Sequence, residues 1–208
     1  MIVLTAFSDW LNQTFYNFDD AIFRFFNQLE QSMPWLYKLA RFISFFGDEG
    51  IFFIAICVVF LIFRRTRKSG IGLAIGLIIG WLLCNLILKY SIARPRPFAS
   101  ELSPYYEMWK NAGGTYLSSY SFPSGHTNVS AVFGIYMFLA YDKKYSWTYL
   151  LIPIFMGLSR IMLFVHYPTD VIGGLITGAI SAVSAYFIIK PLSKISFVEK
   201  LTTGDKLF

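Results

Sequence analysis

The chain has 208 residues, of which 56% are hydrophobic, 19% aromatic and only 14% charged, with a mean hydropathy of +0.55. Those values exclude an ordinary soluble domain and predict an integral membrane protein. The net charge of +6 comes from basic residues lying between apolar runs, with no contiguous basic stripe, so the expected partner is an anionic membrane surface and not nucleic acid.

The N-terminus, Met1 to Leu4, has no basic stretch ahead of an apolar run and no small-residue cleavage signal, so no signal peptide is expected. From Thr5 to Gln31, Asp9, Asp19, Asp20, Arg24 and Glu30 interrupt the aromatics too often for a lipid-facing span. Ile22, Phe23, Phe25, Phe26 and Leu29 fall near helical spacing, which predicts an amphipathic helix lying in the membrane interface. Ser32-Met33-Pro34 starts a second helical pattern, Trp35 to Phe46, where Lys38 and Arg41 argue against a simple span. The pattern leaves open whether residues 19–46 cross the membrane or lie on it.

Ile51 to Phe63 is uninterrupted apolar sequence, yet at about 1.5 Å per residue it falls short of a hydrocarbon core of about 30 Å. Residues from Gly47 to Gly50, or snorkelling arginines after it, must supply the difference. After Arg64-Arg65-Thr66-Arg67-Lys68, Ile71 to Leu88 is a full span. Its Gly72, Gly76 and Gly80 make a smooth face for close helix packing. Tyr90 to Phe122 is the longest polar excursion, and connections of that length are usually functional. Spans of about Ser124 to Tyr141, Trp147 to Phe164 and Pro168 to Ile189 come next. Cys57 and Cys84 sit in apolar runs and read as small hydrophobes. The predicted fold is all-α: a polytopic transmembrane bundle of about six helices, the first either interfacial or spanning. It forms a single domain, with an amphipathic region 1–46, a catalytic core 47–190 and a cytoplasmic tail 191–208 carrying Lys194, Lys200 and Lys206.

If the spans alternate, Arg64, Arg65, Arg67, Lys68, Lys143, Lys144 and the tail lysines share one side, which the positive-inside rule makes cytoplasmic. Lys89, Arg96, His126, Arg160 and His166 then share the other. Ionisable side chains at membrane depth are expensive, so their convergence on one face points to a joint site.

Three polar breaks supply that site. In Lys89-Tyr90-Ser91-Ile92-Ala93-Arg94-Pro95-Arg96-Pro97 the prolines hold the preceding arginines extended, which aims Arg96 at a fixed point; taken alone, these cations would simply snorkel to headgroups. Pro123-Ser124-Gly125-His126 opens an apolar helix, whose free N–H groups suit an anion. Gly125 lets a phosphate approach, and Ser124 either donates to it or only caps the helix. In Ser159 to Asp170, Arg160 can hold two phosphate oxygens. Asp170, four residues after His166, can fix one imidazole nitrogen and free the other as a nucleophile. Two histidines and Asp170 are enough in number for a metal triad, but three neighbouring cations would repel a metal and suit a phosphate dianion.

These segments, KxxxxxxRP, PSGH and SRxxxxxHxxxD in order, resemble the signature motifs of the type 2 phosphatidic acid phosphatase family, over roughly Ile51 to Ile189. The resemblance implies a helical membrane phosphatase with a phosphohistidine intermediate and no cofactor or metal. Carried over by residue, His166 attacks phosphorus, Asp170 orients it, and His126 protonates the leaving oxygen and then activates water. Lys89, Arg96, Ser124, Gly125 and Arg160 hold the phosphoryl oxygens. The expected substrate is a lipid phosphate or diphosphate such as phosphatidate, phosphatidylglycerophosphate or undecaprenyl diphosphate, taken on the extracytoplasmic face. A lipid phosphotransferase and a non-catalytic carrier of anionic lipids are the competing readings. Substrate identity and oligomeric state are not legible.

Overall fold

A computed structural model describes residues 5–192, and among them the structure is all-α with no strand. Two N-terminal helices, α1 (Ala6–Thr14) and α2 (Tyr16–Ser32), precede α3 (Trp35–Phe45) and α4 (Ile51–Ile62). Helix α5 (Arg67–Trp81) continues through a π-helical stretch, Leu82–Leu88, to Ile92. A long loop carrying the short α6 (Tyr106–Asn111) leads into α7 (Gly125–Ala140). Short turns then lead to α8 (Leu151–Met162), and α9 (Pro168–Leu192) closes the described chain. The tail lysines Lys194, Lys200 and Lys206 lie outside the described residues.

Among the described residues, three helical stretches are long and apolar enough to cross a membrane: Trp35–Ile62, Arg67–Ile92 and Pro168–Leu192. The first is the two predicted segments of α3 and α4, broken at Asp48–Gly50, where Glu49 (φ 49°) and Gly50 (φ 68°) take left-handed conformations. Two further expected spans lie where predicted, though neither is long enough to cross a bilayer unaided: α7 has 16 residues, and α8 has 12 and follows directly on a 3-10 turn, Trp147–Leu150. They can be short because neighbouring helices, and not lipid, cover much of their length. The second helix of the core also runs four residues past Leu88, so Lys89 is still helical where the sequence placed the exit from the membrane.

Helix α7 is the centre of the bundle because glycine faces clasp it from two sides. A Cβ added at Gly76 would come within 2.9 Å of Val132, and one at Gly80 within 2.8 Å of the Asn128 side chain. This is the packing role expected of the Gly72, Gly76 and Gly80 face. From the other side, an added Cβ at Gly174 would meet the Ser124 carbonyl at 2.6 Å, and one at Gly178 the Ala131 Cβ at 2.5 Å. Such close approach lets backbones pack where lipid removes the hydrophobic drive between helices. Phe53, Leu73, Val132, Tyr136, Met137 and Ala182 fill the core between these helices. Both cysteines are free and buried, as small apolar residues. Phe52, Val59, Ile62, Phe63, Leu86 and Ile87 face outward, toward lipid.

The N-terminal helices depart from a simple interfacial reading. Helix α2 exposes Phe18 and Phe25, yet it buries Phe23 against Tyr105, Phe164 and Tyr167 at ring separations of 4.8, 5.3 and 5.8 Å, and it buries Asp19. The Thr5 hydroxyl accepts from the Ser8 N–H and donates to the Ile92 carbonyl at 2.6 Å, which pins α1 to the end of α5. These helices therefore cover the end of the bundle where the polar breaks meet.

Candidate active site

The start of α4, the end of α5, the start of α7, the end of α8 and the turn between α8 and α9 converge around a cavity of about 840 Å³. Lys89, Arg96, Gly125, His126, Arg160 and His166 line its polar part. Its remainder runs between α4 and α5 past Ile54, Val58, Ala74, Leu77, Ile78 and Trp81.

Each cation is held by a different element. Arg160, at the end of α8, is 2% exposed; its Nη1 donates to the Ser44 hydroxyl, while Nε and Nη2 have no partner among the described residues. Arg96 donates from Nε to the Ser119 carbonyl (2.7 Å) and from Nη1 to the Val165 carbonyl (2.8 Å). The same Nη1 lies 3.3 Å from His166 Nε2. Burial pushes the Arg96 guanidinium down to about 10, partly offset by the Asp170 charge, so it stays cationic at neutral pH. Lys89 reaches Asn85 at 3.4 Å, one turn back on the π-helical stretch. A π turn holds an extra residue, so it rotates the next helical turn and sets the bearing of Lys89. Three buried cations without carboxylates of their own give this end of the cavity a positive charge that suits an anion, because isolated buried charges are costly.

His166 is fully enclosed in the turn between α8 and α9, after Phe164 adopts a left-handed conformation (φ 51°). Burial, and then the Arg96 charge, hold its imidazole well below the ordinary 6.5, so it is neutral. An arginine N–H beside Nε2 requires a lone pair there, which puts the ring proton on Nδ1. Nδ1 faces Asp170 Oδ2 at 3.5 Å without a hydrogen bond. The Asp170 carboxylate is itself gripped: Oδ1 accepts from Arg94 at 2.6 Å, and Oδ2 accepts from the Tyr167 N–H at 2.9 Å and from the Ser121 hydroxyl.

His126 sits on the opposite wall, its Nε2 2.8 Å from Asp48 Oδ1. Gly47 lies under the ring, where an added Cβ would come within 2.5 Å of its Cδ2. Ser124 takes the capping alternative: its oxygen accepts from the Thr127 N–H and hydroxyl, and it is fully buried and does not line the cavity. Gly125 does line it.

The structure thus brings Lys89, Arg96, Gly125, His126, Arg160, His166 and Asp170 to one end of the bundle and turns Ser124 inward. Sequence reasoning missed Arg94, Asp48, Ser121, Ser44 and Asn85. Asn85 was visible as the one amide in the run from Ile71 to Leu88. Asp48 was visible as a carboxylate between glycines; nothing in the sequence marked Ser121 or Ser44.

A buried cationic cavity beside a neutral imidazole, at one end of an apolar helical bundle, is the arrangement of a membrane-embedded phosphatase. Residues 69–193 match the family model of the PAP2 superfamily, and the chain belongs to that family. It is 33% identical over 142 residues to an undecaprenyl-diphosphatase of Sulfolobus acidocaldarius, covering 68% of this chain and 65% of the relative. It is 30% identical over 189 residues to the bacitracin transport permease protein BcrC of Bacillus licheniformis, covering 86% and 83%. Its fold is that of a transmembrane PAP2-type phosphatidylglycerolphosphate phosphatase from Bacillus subtilis, with a TM-score of 0.66, 24% identity and 90% of each chain covered.

Proposed function

We propose that this chain hydrolyses a lipid phosphate or diphosphate through a phosphohistidine on His166, with a diphosphate of a long-chain lipid alcohol as the leading substrate class. The observation that carries the reading is the cavity itself. Its cationic end offers the open edge of Arg160, Arg96 and Lys89 to a phosphate, and it continues without a break into an apolar channel suited to a lipid tail. The relative from Sulfolobus acidocaldarius, named for a lipid diphosphate, supports the substrate class.

The Nε2 lone pair of His166 forms the N–P bond as the bond from phosphorus to the leaving oxygen breaks, and His126, carried as the imidazolium between Asp48 and the bound phosphate dianion, passes one of its two ring protons to that oxygen. With Nε2 of His126 on Asp48, Nδ1 is the nitrogen left for this transfer. Water then attacks phosphorus, His126 takes its proton, inorganic phosphate leaves and His166 is regenerated. Arg96, Arg160, Lys89 and the N–H groups at the start of α7 offset the charge on the equatorial oxygens, where most of the acceleration of phosphoryl transfer originates. The catalytic core is residues 47–190. The site faces the extracytoplasmic side, because the connections rich in Arg and Lys, residues 64–68 and 143–144, lie at the other end of the bundle.

The test is phosphate release in detergent from phosphatidate, phosphatidylglycerophosphate and undecaprenyl diphosphate, wild type beside His166→Ala. We expect release from at least one lipid, a phosphoprotein trapped by rapid acid quench, and loss of both in the variant. Turnover undiminished in His166→Ala would remove the phosphohistidine, and binding without any turnover would favour a carrier. Phosphate appearing on an added alcohol instead of in solution would indicate a phosphotransferase. Right-side-out vesicles report the face.

A further inference from the structure

We infer that Asp19, on the N-terminal helix α2, is a positioning residue of the active site that acts through Arg94 to set the Asp170 carboxylate against His166. The inference rests on the phosphohistidine reading. Helices α1 and α2 lie outside the region matched to the family, and no sequence motif gives them a part in the chemistry.

Asp19, Arg94 and Asp170 are 2%, 1% and 0% exposed and form one ion triad across three separate parts of the chain. Arg94 is saturated. Its Nε donates to the Asn12 side chain on α1 (2.9 Å), Nη2 to Asp19 (3.0 Å), and Nη1 to both the Thr169 hydroxyl (2.7 Å) and Asp170 (2.6 Å). Its guanidinium also lies 3.9 Å from the centre of the Tyr167 ring. Asp19 is equally committed, since Oδ1 accepts from the Thr169 N–H at 3.0 Å and Oδ2 from the Thr169 hydroxyl at 2.8 Å. Its contacts are thus with Thr169, directly before Asp170, and with the arginine that holds Asp170.

A buried carboxylate is an expensive way to attach one helix to another, because apolar groups of similar size hold helices together as well or better. Its distinctive contribution here is charge. Arg94 paired with Asp170 alone would be a neutral pair, with little net attraction left for the His166 Nδ1–H. With Asp19 present the triad carries one net negative charge, so the imidazolium character that His166 gains when it becomes phosphorylated meets a compensating field. The gap of 3.5 Å between Nδ1 and Asp170 Oδ2 makes this sensitive: a slight swing of Asp170 toward an arginine with only one counter-charge would take it out of reach.

The experiment uses the full chain in detergent and compares Asp19→Asn, Asp19→Glu, Asp170→Asn and Asp19→Asn/Asp170→Asn. It reads kcat and KM on a lipid substrate, inhibition by inorganic phosphate, and the rate of phosphoprotein formation. Misplacement of a catalytic group by about 1 Å costs about 100-fold, so Asp19→Asn should lose about 10- to 100-fold in kcat and in phosphoprotein formation. KM and the phosphate inhibition constant should stay within about twofold, since Lys89, Arg96 and Arg160 are untouched. The double variant should be no slower than Asp170→Asn alone, and Asp19→Glu should recover part of the loss. Wild-type kcat in Asp19→Asn would overturn the inference, as would a loss that adds to that of Asp170→Asn or a matching loss of phosphate affinity. If Asp19→Asn does not give a monodisperse protein, Thr169→Val removes the hydroxyl bridging Asp19 and Arg94 and must show the same split between kcat and KM in milder form. A wild type that releases no phosphate defeats the underlying reading, whereas an active wild type matched by an equally active Asp19→Asn defeats this inference alone.

Discussion

His126 is held by a carboxylate from outside the three motifs, and the turn that supplies it is specific. Gly47 admits the imidazole ring, Asp48 accepts at Nε2, and left-handed Glu49 and Gly50 then redirect the chain into α4. If Asp48 acts by orienting His126, Asp48→Asn should lower kcat by about tenfold or more with KM little changed, a part of the ~10²–10⁴ that general acid–base catalysis supplies. In a His126→Ala background the same change should cost nothing more, which a double-mutant cycle on kcat measures. Legibility at this scale divided along the chain. His166, Asp170, Arg160 and His126 announced themselves as charges in apolar sequence. Arg94 did not stand apart from Arg96, because two arginines each followed by proline look alike until their partners are known, and the partners of Arg94 come from residues 12, 19, 169 and 170.

Among the elements, the packing of α7 depends on two glycine faces, of which one was readable. Gly72, Gly76 and Gly80 repeat at helical spacing in a plainly apolar run, and the close approach follows from that pattern. The bounds of α7 were readable to within a residue at each end, whereas its surroundings were not, because an apolar run does not say whether lipid or neighbouring helices will cover it. The role of α2 was hidden for a related reason: Asp19 looks like a solvated residue on an amphipathic helix, and only its burial against Arg94 and Thr169 shows otherwise. Glycine packing can be tested at Gly178, where an added Cβ would meet Ala131 Cβ at 2.5 Å and the Asn128 carbonyl at 2.7 Å, neither able to swing away. Gly178→Val should destabilise the bundle by about 1–3 kcal/mol, the usual cost of overpacking, read as a lower melting temperature in detergent.

For the molecule as a whole, neutral burial of His166 ties stability to pH. Unfolded, its imidazole binds a proton from about pH 6.5 downward, while the folded group stays neutral to well below that value. The unfolded state therefore takes up more protons in that range, and this contribution to stability is lost as pH falls below 6.5. His166→Gln should lose less melting temperature than wild type between about pH 7 and about pH 5. A second property belongs to the backbone. Among the described residues, the non-glycine positions with positive φ are Glu49, Ala93 and Phe164, and each lies within two residues of Asp48, Arg94 or His166. A left-handed L-residue costs about 1–2 kcal/mol, so the chain is held against its preference where it enters each wall of the site. Ala93→Gly should thus raise the melting temperature while lowering turnover, because the relaxed backbone no longer fixes the bearing of Arg94. Selection for heat resistance alone would erode the site at these three positions first, and a stabilised variant of this chain is best sought by leaving them as they are.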